Sequence, residues 1–192
     1  MGISLMTIKT LSGRLFLNRD KSNLNSVSWS AKVTIVDYET KKKEKIHNEI
    51  FDANLTIRKG NSSIVLHTNN DGVDKNFESF LSKLRLISTH VRDFVEQCEI
   101  KRSKPTQVKT ERYWLNDPEG IDKSFTGSLV KIYDTYSDTI EISSCERSAR
   151  WYINSYLNRG KSEIGELIVL QRAIDRLIRD IGIVLKEVKN GA

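Results

Sequence analysis

The sequence predicts an α+β protein in which an antiparallel sheet, made of two strand groups, is covered by two long amphipathic helices. Three observations support this fold class. Apolar and polar residues alternate in strand-like segments, and apolar residues at helical spacing follow each strand group. The links between the strands are too short for crossover helices, so the strands are expected to be antiparallel.

The strands of the first half are predicted from a period of two. From Val27 to Ile35 every odd position is apolar and every even position is polar, as in a strand with one buried face. Strands are predicted at residues 6–11, 14–17, 27–35, 50–57 and 64–66. With the segment at residues 6–11 as an addition, they form a meander of about four antiparallel strands. Residues 38–44 are expected to be a hairpin tip that carries Lys41, Lys42 and Lys43.

A helix is predicted over about residues 75–99, because apolar residues recur there at spacings of three and four. Asp74 is a suitable N-cap for it. We expect this helix to lie across one face of the preceding strands. A basic linker with Lys101, Arg102 and Lys104 follows it.

Three further strands are predicted in the second half, at residues 106–114, 128–133 and 139–143. Residues 145–157 have apolar side chains at helical spacing and are predicted to be a short helix. A final helix should run from its cap Ser162 to about residue 189. The two halves share an order of elements, but no residues of one can be aligned with the other.

Length and composition exclude several classes of protein. A chain of 192 residues suits one compact domain, over residues 1–192, that could divide into 1–100 and 105–192. Its two cysteines cannot make a disulfide framework. Neither a membrane-spanning apolar run nor the apolar core of a signal peptide is found, so a cytoplasmic protein without a membrane partner is expected.

No catalytic residue, metal ligand or cofactor site is predicted. Gly160, Lys161 and Ser162 match the end of a phosphate-binding loop, but Ser155 stands where that motif needs its first glycine. A turn and helix cap is the favoured interpretation. The three histidines lack metal-ligand spacing, and no acid–base pair stands out, so the protein is not expected to be an enzyme.

Basic residues outnumber acidic ones by 31 to 25, for a net charge of +6. Such a surplus favours polyanionic partners, because Lys and Arg gain affinity by releasing phosphate counterions. Ordinary solubility charge is the alternative.

The last helix has two faces of interest. Apolar residues form a seam on one face: Leu167, Leu170, Ile174, Leu177, Ile181, Val184 and Val188. The seam fits either an internal core, which we favour, or a homodimer through this helix. On the other face Arg172, Arg176 and Arg179 form a basic ribbon that could follow phosphates, or could pair with neighbouring aspartates.

Aromatic residues alternate with arginines in two segments, as in proteins that stack bases while holding phosphates. The candidates for stacking are Trp114, Trp151 and Tyr152. The candidates for phosphate contact are Lys41, Lys42, Lys43, Lys101, Arg102, Lys104, Arg112, Arg147, Arg150, Arg172, Arg176 and Arg179. We therefore predict a non-catalytic nucleic-acid-binding protein that favours single-stranded DNA or RNA, in the manner of a phage or mobile-element accessory factor.

The alternative function is a protein-interaction module, a subunit or inhibitor of a larger assembly that handles nucleic acid. An exposed seam on the last helix would favour this alternative. An exposed Trp114 or Trp151 within a basic groove would favour nucleic-acid binding.

Overall fold

The computed structural model describes residues 3–17, 25–39, 45–68, 73–99, 107–115, 127–134, 137–144, 149–156 and 161–191. The elements within these ranges are β1 (Ile3–Phe16), β2 (Asn25–Glu39), β3 (Lys45–Lys59), β4 (Ser62–His67), α1 (Val73–Glu99), β5 (Lys109–Trp114), β6 (Ser128–Tyr133), β7 (Ser137–Ser144), β8 (Ala149–Tyr156) and α2 (Lys161–Gly191). Both helices start one residue before their expected caps, so Asp74 and Ser162 lie in the first helical turn.

The strands form two four-stranded antiparallel sheets, in the orders β1-β2-β3-β4 and β5-β6-β7-β8. The α+β class with antiparallel strands is thus confirmed. In the first sheet, β1 is one long strand where two segments were predicted, with a register shift between Thr7 and Lys9. Gly13 suits this strand because the ring of Trp29 lies over it, and a Cβ there would be 2.2 Å from Cζ2 of Trp29.

The prediction of a short helix at residues 145–157 is wrong where the structure describes this segment. Ala149–Tyr156 is instead the edge strand β8, paired with β7 from Ser137↔Tyr156 to Ser144↔Ala149. Aromatic and β-branched residues favour a strand. The partner strand β7 completes the backbone hydrogen bonds, so it overrides a helical spacing that depends on few apolar residues.

Each helix contacts the sheet of the other half of the chain. α2 packs mainly on β1 and β2, and α1 packs against α2. The ring of Phe94 in α1 stacks on Tyr133 in β6, with centroids 5.9 Å apart. The expectation that α1 lies across the strands before it is confirmed only in part, because α1 contacts β3 of the first sheet but also β7 of the second.

The core joins side chains of both halves in one cluster. The described members of the apolar seam of α2 are all buried within the chain, at 0 to 2% exposure: Leu167, Leu170, Ile174, Leu177, Ile181 and Val184. A dimer of this protein would therefore need another surface.

The buried positions of the two helices match each other. Residues 80, 84, 87, 91 and 94 of α1 are buried, and so are residues 170, 174, 177, 181 and 184 of α2, each ninety positions later. The same offset relates His90, which approaches Lys131 in β6, to Asp180, which binds Trp29 in β2. The two halves thus share their order of strands and helix and the spacing of the buried helix residues, a correspondence that sequence alignment alone did not show.

Candidate nucleic-acid interface

Trp114, at the end of the edge strand β5, is an exposed aromatic residue. Its side chain is 54% exposed, whereas tryptophan is highly buried on average. The guanidinium carbon of Arg112 lies 5.5 Å from the centroid of the indole ring, in cation–π range. Both residues occupy one face of the strand because they are two positions apart. An exposed indole beside a guanidinium can stack a base and bind a phosphate.

The opposite face of β5 holds the strand in place. Leu115 is buried, and its N–H donates a hydrogen bond to the carbonyl of Gly127 across 2.8 Å. The ring of Tyr113 stacks on His90 of α1, with centroids 3.6 Å apart. Trp114 therefore projects from a backbone that is anchored on both sides of it.

A charged cluster lies beneath β5. This Lys131 cluster consists of Lys131, Glu111, Lys109, His90 and Tyr113. The Lys131 side chain is 4% exposed, and its Nζ lies 2.8 Å from Glu111 Oε2 and 5.1 Å from the Tyr113 ring centroid. Lys109 Nζ lies 2.7 Å from Glu111 Oε1. The buried ammonium is thus paired with a carboxylate, as a buried charge requires.

The members of the Lys131 cluster shift one another's pKa. Hydrogen bonds from Lys109 and Lys131 lower the pKa of Glu111 to about 2. Burial opposes the charged form of Lys131, but the hydrogen bond with Glu111 and the nearby tyrosines raise its pKa overall. Burial, and then the ammonium of Lys131, lower the pKa of His90. At neutral pH the lysine–glutamate pair is therefore ionic and His90 is neutral.

Sequence reasoning missed this cluster, although a signal was present. Lys131 shares a strand face with Leu129 and Tyr133, two positions away on either side, and both are buried. A lysine at a core-facing position of a strand needs a partner. The partner was not predictable, because His90 and Glu111 come from other elements.

The strand register separates the other aromatic candidates. Tyr152 of β8 is in the cross-strand row of Arg112, and Arg150 is in the row of Trp114. By backbone position these four residues belong to one face of the sheet. Trp151 belongs to the opposite face, in a row whose β6 and β7 members are buried.

A basic stripe runs along the solvent face of α2. This α2 stripe consists of Arg172, Arg176, Arg179 and Lys186, and all four side chains are exposed. Their spacing keeps them on one side of the helix. The structure thus places the predicted ribbon on the surface.

The aspartates beside the stripe bind other elements. Oδ1 of Asp175 accepts a hydrogen bond from the Ser88 hydroxyl of α1 across 3.0 Å. Oδ2 of Asp180 accepts one from the Trp29 indole across 2.9 Å. These contacts draw both carboxylates toward the protein rather than toward the arginines.

Neutralisation of the α2 stripe is accordingly slight. Arg179 Nε lies 3.9 Å from Asp180 Oδ1, at the limit of an ion pair. Arg172 and Arg176 take part in no ion pair with the described side chains. The alternative was that aspartates of the same helix pair with these arginines on a solvated face. Among the three arginines, it thus applies at most to Arg179.

The stripe and Trp114 belong to different surfaces. α2 packs on the first sheet, whereas Trp114 lies at the edge of the second sheet. The remaining predicted contacts lie outside the described residues: Lys41, Lys42, Lys43, Lys101, Arg102, Lys104 and Arg147.

The segment before Gly160 proves to be a strand, contrary to our expectation. β8 is, however, an antiparallel edge strand, whereas the phosphate-binding loop joins a strand to a helix in a β-α-β unit. Ser155 also still occupies the position of the first glycine. The structure therefore adds no support for a nucleotide site there.

Within the described ranges, no group of three or more His, Cys, Asp or Glu side chains could hold a metal ion. Neither described helix combines the length and apolarity that a membrane span needs. The sequence matches no protein-family model and no curated protein.

Proposed function

We propose that this protein binds single-stranded nucleic acid, DNA or RNA, and catalyses no reaction on it. The observation that carries this proposal is the exposed indole of Trp114 with the guanidinium of Arg112 beside it. Stacking on an aromatic face is open to every base, and a guanidinium contributes a phosphate or cation–π contact.

The anchoring of β5 supports stacking as the role of Trp114. Tyr113 and Leu115, its neighbours in the chain, are held by the His90 ring and by Gly127. An anchored strand fixes the backbone from which the indole projects, so less backbone entropy is lost on binding. By backbone register, Arg150 and Tyr152 belong to the same sheet face three strands away, a distance of roughly 14 Å.

The α2 stripe supplies the second, sequence-independent contribution. Its exposed, weakly paired arginines attract a polyanion and accelerate its association. Because it lies on another surface, the stripe would contact a different stretch of the bound strand from Trp114.

The alternative of a protein-interaction module loses its main support. An exposed apolar seam on the last helix would have favoured it, and that seam is buried within the chain. The exposed tryptophan beside an arginine is the feature that favours nucleic acid.

Binding of fluorescently labelled DNA and RNA oligonucleotides, single- and double-stranded, tests the proposal. We expect single strands to bind more tightly than duplexes. Trp114→Ala should weaken binding by about 1–3 kcal/mol per stacked base. Trp114→Phe should restore most of this affinity, because a ring remains.

Val108→Ala is the matched control, since Val108 is an exposed apolar residue just before β5. It should leave affinity unchanged. Absence of salt-sensitive binding to any of the four nucleic acids at micromolar protein would refute the proposal. Co-purification with a protein assembly would then favour the alternative.

A further inference from the structure

The first sheet contains a close counterpart of the Trp114 site. Leu17 follows β1 as Leu115 follows β5, and both are buried. The N–H of Leu17 bonds to the Asn25 carbonyl across 2.9 Å, as the N–H of Leu115 bonds to the Gly127 carbonyl across 2.8 Å. These two contacts make Leu17 and Leu115 corresponding residues at the ends of β1 and β5.

This alignment matches Phe16 to Trp114. Phe16 is opposite Ser26 in the register of the first sheet, and Trp114 is opposite Ser128 in the second. Both serines are buried, at 3% and 8% exposure. An aromatic ring at the end of an edge strand, across from a buried serine, thus occurs once in each sheet.

An arginine also precedes the aromatic residue by two positions in each of these edge strands. Arg14, two residues before Phe16, is exposed like Arg112, two residues before Trp114. The row of Phe16 also contains the exposed Arg58 of β3, and the row of Trp114 contains Arg150 of β8. Arg14 and Arg112 therefore occupy equivalent positions, whereas Arg58 is on the third strand of its sheet and Arg150 on the fourth strand of the other.

The sheet face around Arg14 also favours an anion. In the row of Arg112, β7 contributes Glu141, whereas the equivalent position in the row of Arg14 is the uncharged Thr56. A phosphate near Arg14 would thus meet no carboxylate in this row.

From this equivalence we propose a second site for single-stranded nucleic acid, in which Phe16 stacks a base and Arg14 holds a phosphate. The proposal rests on the function proposed above and adds a site to it. Phe16 is half-buried, so it offers less ring surface than Trp114, and the second site should be the weaker one.

The two sites lie on edge strands of different sheets. β4 contacts β8, which leaves β1 and β5 at the outer edges of the two sheets. Six intervals between paired strands separate these edges, so the path along the sheets is roughly 30 Å. One short oligonucleotide at each site is therefore compatible with the geometry.

Isothermal titration calorimetry with oligothymidylate of about eight nucleotides, a length that one binding module can cover, measures the number of sites. We expect two oligonucleotides per chain for the parent protein. Phe16→Ala and Trp114→Ala should each leave one. Ser12→Ala, an exposed change on the same face of β1, should leave two.

Arg14→Glu is a second variant in case Phe16→Ala does not fold, because the Arg14 side chain is exposed and replacing it disturbs no core packing. It should weaken the second site by about tenfold or more and leave the Trp114 site unchanged. Circular dichroism melting identifies any variant that has lost its fold.

Two results would overturn the second site. One is a parent stoichiometry of one that Trp114→Ala abolishes, with Phe16→Ala and Arg14→Glu unaffected; the proposed function would then stand. The other is a complete absence of binding by the parent protein, which would overturn both proposals.

Discussion

The indole N–H of Trp29 donates a hydrogen bond to Oδ2 of Asp180 across 2.9 Å and so joins β2 to α2, 151 residues further along the chain. Trp29 is buried, and its ring occupies the space above Gly13. At the equivalent place in the second sheet, Lys131 approaches His90 of α1. Each helix therefore makes a polar contact with the sheet of the other unit, and neither unit is complete without the other.

The Trp29 contact predicts a specific loss of stability. Asp180→Ala would leave a buried indole N–H without its acceptor and should cost about 1–3 kcal/mol of the free energy of unfolding. Asp180→Asn keeps an acceptor and should cost less. Urea denaturation measures both, with the exposed Arg176→Ala as a control within about 0.5 kcal/mol of the parent. Equal stabilities for Asp180→Ala and the parent would contradict the assignment.

The buried seam of α2 predicts a larger effect. Ile174 is completely buried, so Ile174→Asp would place a carboxylate in the core at a cost of several kcal/mol. We expect cooperative thermal unfolding to be lost. Arg172→Asp makes the same side chain on the exposed face two positions earlier and should leave the transition intact. A cooperative melt of the Ile174 variant at the parent temperature would disprove the core assignment.

The low pKa of Glu111 predicts an acid-dependent loss of stability. The folded state lowers this pKa from 4.5 to about 2, so the unfolded chain binds the proton first as the pH falls. The contribution of Glu111 is complete above pH 4.5 and disappears as the pH decreases to about 2. Glu111→Gln should therefore flatten the dependence of melting temperature on pH in this window. An unchanged slope would show that the ion pair with Lys131 contributes nothing.

His90 offers a direct readout of the buried lysine. Burial and the ammonium of Lys131, whose Nζ lies 3.5 Å from Nδ1 of His90, keep the pKa of His90 below 6.5. Lys131→Met removes the opposing charge and leaves the carboxylates of Asp93 and Glu111, which favour the imidazolium form, so the pKa of His90 should rise. Imidazole NMR titration of the two proteins measures the difference. A pKa that does not move would mean that the two groups are not electrostatically coupled.

Salt dependence should separate binding to phosphates from stacking on bases. Replacing Arg172, Arg176 and Arg179 with Ala should reduce the slope of log affinity against log salt by about 0.7 for each single-strand phosphate that the variant no longer binds. Replacing Lys41, Lys42 and Lys43 with Ala should act in the same direction. Trp114→Ala should instead lower the affinity and leave the slope almost unchanged. A steep change of slope in the tryptophan variant would contradict a stacking role.

Local periodicity was enough to predict most of the elements. The apolar stripe of α1 and the alternation in β2 show which side of each element is buried. This information comes from the spacing of residues that are close together in the chain. The strand at residues 128–133 was predicted with its observed bounds for the same reason. β8 was not, because an edge strand with few apolar positions becomes a strand only when β7 supplies its hydrogen-bond partners.

In the candidate site, too, some features could be predicted from residue spacing and others depend on tertiary contacts. The sequence by itself determined that Arg112 and Trp114 share a strand face and that Arg172, Arg176 and Arg179 share a helix face, because both depend on spacing alone. Only the tertiary structure decided that Trp114 is exposed while the seam of α2 is buried. Only the register of paired strands revealed that Phe16 is the counterpart of Trp114. Exposure and pairing depend on contacts between residues distant in the chain, and a periodic pattern carries no information about which distant residues those are.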